Sequence, residues 1–499
     1  MALLASASST FRLLHLFKQI EMKKLTINLI TALLLVGLVG CQGYFDINEN
    51  PNRSTAADPA FLLTFAQTDY ATNRSIDFGV SAIAFSQIQA PGTFGVFVNP
   101  ARYTISTFTN GNTWNSVYSN QLVNLNEAIK ISEAQSPADF NASAQCKIFS
   151  ALCYYTATMI WEDVPFSEAL QPADFPQPNF DSQKDVLESV IALLDEAIAQ
   201  IDVTSALGIG SNDLIYGGDM SKWVRFANSL KFRALMVMVD ADPSKEDMIL
   251  AMLSNAEMIG SQDDMAFFPF QNQSGNYNPI WRILDTYTGR DNICYFGSEA
   301  TINLMKRLGD PRLDIYFTAG PAQDTLQPVG PGEAGSIANS ARMSWSDGGS
   351  SAIIRPDQPE LLYTYSEQKL LEAEAQLRFN EDAATADQLM REGVAASAAY
   401  YGVAQDDIDA YLATIPDLAT LSTENAWKAI AEQQWIDFIE RPLEAWTSWR
   451  RTEIPALELP FNAPTTDIIR RFRYPTNEAN ANTNTPNQKQ LDEKMWFDL

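Results

Sequence analysis

Few side chains in this sequence are placed to do chemistry, and their spacing decides what each can do. Glu162 and Asp163 stand together after Trp161. Two carboxylates hydrolyse a glycosidic bond when they flank it at a fixed separation. Adjacent residues on an irregular stretch seldom aim at one centre, so Asp163 is expected to hold the turn before Pro165. Arg450 and Arg451 follow Trp446 and Trp449. Such a group can stack on sugar or bind an anion, but both arginines are expected to pair with buried acids at a helix end. Asp406-Asp407-Ile408-Asp409 lacks the glycine and distal glutamate of a calcium loop. Gly348-Gly349 and Gly208-Ile209-Gly210 lack the lysine, strand and helix of a phosphate loop.

The strongest signal lies near the start. Residues 22–41 read MKKLTINLITALLLVGLVGC. Lys23 and Lys24 form a positive n-region, and 25–39 is an apolar stretch too short to span comfortably as a permanent helix. Leu38-Val39-Gly40-Cys41 is similar to a bacterial lipobox. The three coincide as an export signal requires, predicting a lipoprotein signal peptide over 22–40 and lipidation of Cys41. Acyl chains on Cys41 then tether the chain to a membrane. Residues 1–21 put a second apolar-basic stretch in front and are expected to be a mis-assigned start or a disordered extension.

Setting residues 1–21 aside removes His15, the only histidine. A Ser-His-Asp or Cys-His centre is then excluded, as is a His-rich zinc site. No catalytic residue, metal or cofactor is expected. Cys146, Cys153 and Cys294 remain besides Cys41. Three is an odd number for a disulfide framework, and free core thiols are expected. From Cys41 onward 30 basic side chains face 60 acidic ones, a net charge of −30. That balance opposes a nucleic-acid partner and a polybasic membrane patch.

The elements follow from periodicity. Residues 41–58 read as a polar tether and 59–499 as a single body, mainly α. Over 59–89 the spacing predicts helix, with Phe61, Phe65, Ile83 and Ile88 facing the core. Helix pairs are predicted near 113–240 and 366–401. Glu372-Ala373-Glu374-Ala375 supplies small residues where two helices approach closely. A further helix spans 424–440. Trp114, Trp223, Trp427 and Trp435 fall on apolar helical faces. The helical hairpins resemble the tetratricopeptide design. Segments 91–112 and 262–359 are rich in Pro, Gly, Asn and aromatics, and are expected to form a loop-rich ligand face. Sugar binding needs flat aromatics and a few polar groups in a concave site. The candidates are Phe94, Tyr103, Trp281, Tyr287, Arg290, Asn292 and Trp345, among neighbours Phe97, Asn99, Asn110, Asn276, Tyr277 and Asp291.

Several short motifs occur in a telling order behind the lipobox. They are 45–51 (FDINENP), 163–169 (DVPFSEA), Lys222-Trp223 with Asn228-Ser229-Leu230 and Arg233, Asp310-Pro311-Arg312, Glu372–Ala375, Glu444-Ala445-Trp446 with Arg450-Arg451-Thr452, and Arg473-Tyr474-Pro475 with Glu478. On these the chain resembles the SusD/RagB-type outer-membrane nutrient-binding lipoproteins, in their second SusD-like branch. It departs locally at Glu162 and at Glu453-Ile454-Pro455. The resemblance implies tetratricopeptide-like helix pairs with a variable loop face. It implies an anchor in the outer membrane facing outside, capture of an oligosaccharide or sometimes a peptide, and a SusC-like TonB-dependent transporter as partner. The other readings are a lipid-anchored glycoside hydrolase and a helical-repeat scaffold that grips only protein.

Overall fold

In the computed structural model of the chain, residues 22–23, 57–105, 107–285, 295–348 and 352–498 are described. Cys41, most of the leader and tether, Cys294, and the ligand candidates Tyr287, Arg290 and Asn292 lie outside them. Residues 58–499 form one unit. No helix among the described residues is long and apolar enough to cross a membrane.

Short polar side chains start most of the helices. Asp58 accepts from Ala60 N at 2.9 Å ahead of Pro59, which opens α1 (Pro59–Ser75). The helix breaks at Ile76 and resumes as α2 (Asp77–Ser86). After β1 (Ala90–Pro91) come α3 (Gly95–Ala101) and α4 (Thr107–Asn115). α4 runs through a π-helical stretch, Ser116–Leu122, into α5 (Val123–Ala134). Then follow α6 (Phe140–Trp161), α7 (Gln183–Gln200), α8 (Met220–Met238) and α9 (Glu246–Asn255).

The middle of the chain is irregular, with β2 (Ala266–Phe268), α10 (Pro279–Ile283), β3 (Tyr295–Phe296), α11 (Glu299–Leu308), α12 (Leu313–Tyr316), β4 (Phe317–Thr318), β5 (Arg342–Met343) and β6 (Glu360–Tyr363). Helices return as α13 (Tyr365–Arg378), α14 (Ala383–Tyr400), α15 (Gln405–Leu412), α16 (Thr423–Asp437), α17 (Pro442–Thr452) and α18 (Thr476–Ala481). The small antiparallel sheet has the order β1-β3-β5-β4, with Ala90 opposite Phe296 and Phe317 opposite Met343. Pro91 is tolerated because β1 is an edge strand. β2 pairs with β6.

The fold is mainly helical, and its hairpins fall where periodicity put them. α5 packs on α6, α6 on α7, α7 on α8, and α13 on α14. α6 is buried on all sides, so its apolar pattern runs nearly around the helix rather than along one stripe. At the α13–α14 contact a Cβ on Gly393 would lie 2.9 Å from Leu370 Cγ, which is why a glycine stands there. Cys146 and Cys153 are buried free thiols, and burial raises both above the usual thiol range. Three expectations need correction. Phe61 and Phe65 are exposed rather than core, because α1 turns its other face inward through Leu63, Ala66 and Tyr70. The segment 91–112 contains α3 and most of α4 rather than loop alone. Trp427 is only partly buried, while Trp114, Trp223 and Trp435 are core.

A buried ionic network joins distant parts of the chain. Arg74 of α1 pairs with Glu360 at 2.7 Å and with Glu444. Arg233 of α8 pairs with Glu367 at 2.6 Å and faces Glu444 at 3.7 Å, its guanidinium 4.2 Å from the Tyr363 ring centroid. Arg441 pairs with Glu367 and Asp437. Burial alone would raise the Glu444 carboxyl, but Arg74, Arg233 and Arg441 hold it below its usual value.

The C-terminal segment closes over α6. Phe472 N donates to Ile160 O at 2.9 Å, and Trp496 N to Glu162 at 2.9 Å. Arg450 does not pair directly with an acid as expected. Its Nη1 donates to the carbonyls of Met159 (2.8 Å) and Arg470 (2.9 Å), and its guanidinium stacks 3.8 Å from the Trp446 ring centroid. Burial lowers its pKa to about 9. Arg451 does pair as expected, with Glu374 at 2.5 Å.

Candidate functional site

Asn278 sets the start of α10. Its Oδ1 accepts from Ile280 N (2.9 Å) and Trp281 N (3.3 Å). Its own N–H donates to Pro356 O at 2.8 Å, and its Nδ2 to Gln358 O at 3.0 Å. Trp281 then lies between Tyr277, with ring centroids 4.9 Å apart, and Trp345, stacked at 6.0 Å and 20°. Trp345 is held in turn by a bridge to Ile354, with Ser346 N donating to Ile354 O at 3.0 Å. The short run from Ile354 to Gln358 thus carries both indoles. Trp281 is buried, whereas Tyr277 and Trp345 are half-buried and have ring surface left to offer.

Glu440 fixes that run from beneath. It accepts from Gln358 Nε2 at 2.7 Å and from the Tyr401 hydroxyl at 3.0 Å. Burial raises its pKa to about 7, against the pull of Arg355 and Tyr401 and with a push from Glu360. A carboxyl whose pKa is higher folded than unfolded gives stability that is complete below the unfolded value and lost as pH rises through the folded one. Between pH 4.5 and 8 the wild type is therefore expected to lose about 2 kcal/mol relative to Glu440→Gln. Urea unfolding of both proteins at the two pH values checks this, and parallel pH profiles would contradict it.

The end of α10 borders a cleft of about 490 Å³. α2 lends Asp77, Val80 and Ser81, the α3 region Phe94, Phe97 and Asn99, and α10 its last residue Ile283. α10 thus contributes both to the cleft and to the indole stack. Phe94 is 56% exposed at the cleft, as a platform must be. Tyr103 does not join it. It follows α3 with φ 58°, is 2% exposed and packs edge-on to Phe85, so it belongs to the core. Asn110 is also scaffolding, accepting from Trp161 Nε1 (3.0 Å) and donating to Arg473 O (2.6 Å). Of the candidates, Phe94 stands at the cleft, while Trp281 and Trp345 stack on each other and reach the cleft only through Ile283 at the end of α10. Asp77 and Ser81 were missed because a helix of apolar residues hides them. The signal available was the helix break at Ile76, which leaves a carboxylate in the first turn of α2.

A second cleft, of about 620 Å³, lies among α11, α16 and the segment after α17. Its one tryptophan, Trp427, is partly buried like Trp345 but has no stacked aromatic partner, and the guanidinium of Arg378 lies 4.9 Å from its ring centroid. Its buried acid Glu432 is already paired with Arg307 at 2.7 Å.

Glu162 and Asp163 are structural. Glu162 is bound by Arg471 (2.5 Å) and Lys489 (2.6 Å), and these hold its carboxyl low although burial would raise it. Asp163 accepts from Gln183 N at 2.9 Å, and burial raises its carboxyl. Among the described residues no three Cys, His, Asp or Glu side chains converge as metal ligands.

Helix pairs thus carry a loop-rich face with stacked aromatic rings, and the adjacent acids Glu162 and Asp163 are committed to the scaffold. Residues 51–475 match SusD-like_2, a family described as starch-binding and associating with the outer membrane, and the chain belongs to that family. Its members are binding proteins rather than enzymes. Among solved structures, a chitin-binding protein is 26% identical with a TM-score of 0.75, over 89% of this chain and 100% of that one. A Bacteroidetes SusD-like protein, AC2a, is 21% identical with a TM-score of 0.76, over 89% and 100%. A chitin-binding SusD homologue from Flavobacterium johnsoniae is 22% identical with a TM-score of 0.72, over 88% and 97%. Nothing among the curated proteins matches.

Proposed function

We propose that this chain is a lipid-anchored receptor on the outer face of the outer membrane that captures an oligosaccharide and hands it to a SusC-like TonB-dependent transporter. The observation that carries the reading is the Tyr277–Trp281–Trp345 stack, whose helix α10 also borders a cleft at which Phe94 is exposed. Sugar rings present C–H faces that pack on such platforms, while a few polar groups fix their orientation. Family membership and the lipobox support the location, with Cys41 as the acylated residue. Tyr287, Arg290 and Asn292 follow α10 in sequence and are proposed to extend the contact surface. Chitin and starch fragments are the first glycans to try, given the names of the similar structure and of the family.

The test is gentle detergent extraction of the outer membrane followed by affinity capture of the full chain. Recovery of a large β-barrel in equal amount is expected. Capture of the lipoprotein alone would overturn the transporter half of the proposal. Titration with starch and chitin tetramers, followed by tryptophan fluorescence with product analysis, is expected to give a change in emission without hydrolysis.

A further inference from the structure

On its α2 wall the 490 Å³ cleft has two polar groups that the fold itself does not use, with Asn99, Thr104 and Thr109 at its more exposed side. Asp77 is half-buried. Its Oδ1 accepts one long bond, from Asn112 Nδ2 at 3.3 Å, and its Oδ2 accepts none among the described residues. Burial raises its carboxyl above the usual value, with Asn112 pulling the other way and Asp69 adding to the rise. Ser81 is 1% exposed, lines the same cleft, and its hydroxyl makes no hydrogen bond among the described residues. The two stand four residues apart on α2 and so share one face, with Cβ atoms about 5–6 Å apart. The rest of the wall is largely apolar, from Val80, Phe94, Phe97 and Ile283.

An acceptor and a donor about one helical turn apart, set in apolar walls, match a secondary amide. In a trans amide the N–H and the C=O point in opposite directions. The N–H can reach the Asp77 carboxylate while the C=O takes the Ser81 hydroxyl. A small alkyl end on the amide fits the apolar wall. A hexose hydroxyl is a single atom that answers only one of two groups a helical turn apart, and it brings no alkyl end for the apolar wall. Phe94, exposed at the cleft, offers a flat face for the sugar ring that carries the amide. We infer that Asp77 and Ser81 are the specificity-determining pair of an acetamido subsite, and that the preferred ligands are oligosaccharides of 2-acetamido sugars. This rests on the glycan-capture reading and adds to it the chemical feature by which the cleft chooses.

Three tetramers with the same β-1,4 linkage separate the possibilities: N-acetylglucosamine, glucosamine and glucose. Maltotetraose and a neutral tetrapeptide serve as further arms. Calorimetric titration of the detergent-solubilised full chain is expected to show at least tenfold tighter binding of the acetylated tetramer than of the glucose tetramer. Asp77→Asn and Ser81→Ala should each weaken the acetylated tetramer about tenfold and so bring its margin over the glucose tetramer, measured on the same variant, close to onefold. Circular dichroism and thermal melting confirm that both variants are folded. Equal affinity for the acetylated and glucose tetramers, or a preference that survives both substitutions, overturns the subsite while glycan capture stands. So does tighter binding of maltotetraose. Stronger binding of glucosamine would show that the Asp77 charge selects an ammonium, and it overturns the amide assignment. Binding of the tetrapeptide with no glycan bound overturns both readings.

Discussion

Arg233→Met is expected to destabilise the protein by about 3–5 kcal/mol. Arg233 is buried, donates to both oxygens of Glu367 at 2.6 and 2.8 Å and to Leu362 O at 2.9 Å, and faces Glu444. Methionine fills much of the same volume, so loss of packing is a small part of the effect. What it leaves behind is excess buried negative charge among Glu360, Glu367, Asp437 and Glu444, with only Arg74 and Arg441 to answer it. A buried pair is a modest net stabiliser when whole and a severe liability when halved. Lys231→Met is the control. Its partner Asp195 is largely exposed, and such a pair is worth less than about 1 kcal/mol. Urea unfolding at pH 7 compares the two. A loss below about 1 kcal/mol for Arg233→Met would mean that the network is wet or rearranges.

Trp345→Ala is expected to weaken glycan binding by about 2 kcal/mol, roughly thirtyfold, with little change in overall stability. Trp345 stacks on Trp281 on one side and is half-buried, so its truncation removes platform rather than core. Trp427→Phe, at the other cleft, should leave affinity unchanged. Calorimetry with whichever tetramer binds the wild type most tightly gives both numbers. If the two variants behave alike, the indole stack is not the site.

Much of the fold is legible in the sequence because its helices bury one face each. The i, i+3, i+4 pattern places the α5–α6, α7–α8 and α13–α14 hairpins without any structure. The same logic misleads on Phe61 and Phe65. Their spacing is as helical as that of Leu63 and Tyr70, and nothing local says which face turns inward. It fails again at Tyr103, where composition marks a ligand loop but a left-handed residue after α3 goes with a ring packed in the core. The indole pair was legible residue by residue but not as a pair. Trp281 and Trp345 meet only because 354–358 ties one to a helix cap and the other to a bridge. Asp77 and Ser81 were least visible, since a polar group inside an apolar helix gains meaning only when a cavity opens beside it.

The stitching of the C-terminal segment onto α6 sets the order of events when the chain folds. Glu162 takes its bonds from Arg471, Lys489 and Trp496, and Arg450 takes part of its cage from Arg470. Until residues 470–497 are available, the Glu162 carboxylate lacks these three partners and the Arg450 guanidinium lacks one of its two carbonyls. The end of α6 is completed only by the last part of the chain. Contacts that span some 300 residues are slow to find, and an open, unfinished body is the form most exposed to proteases and aggregation.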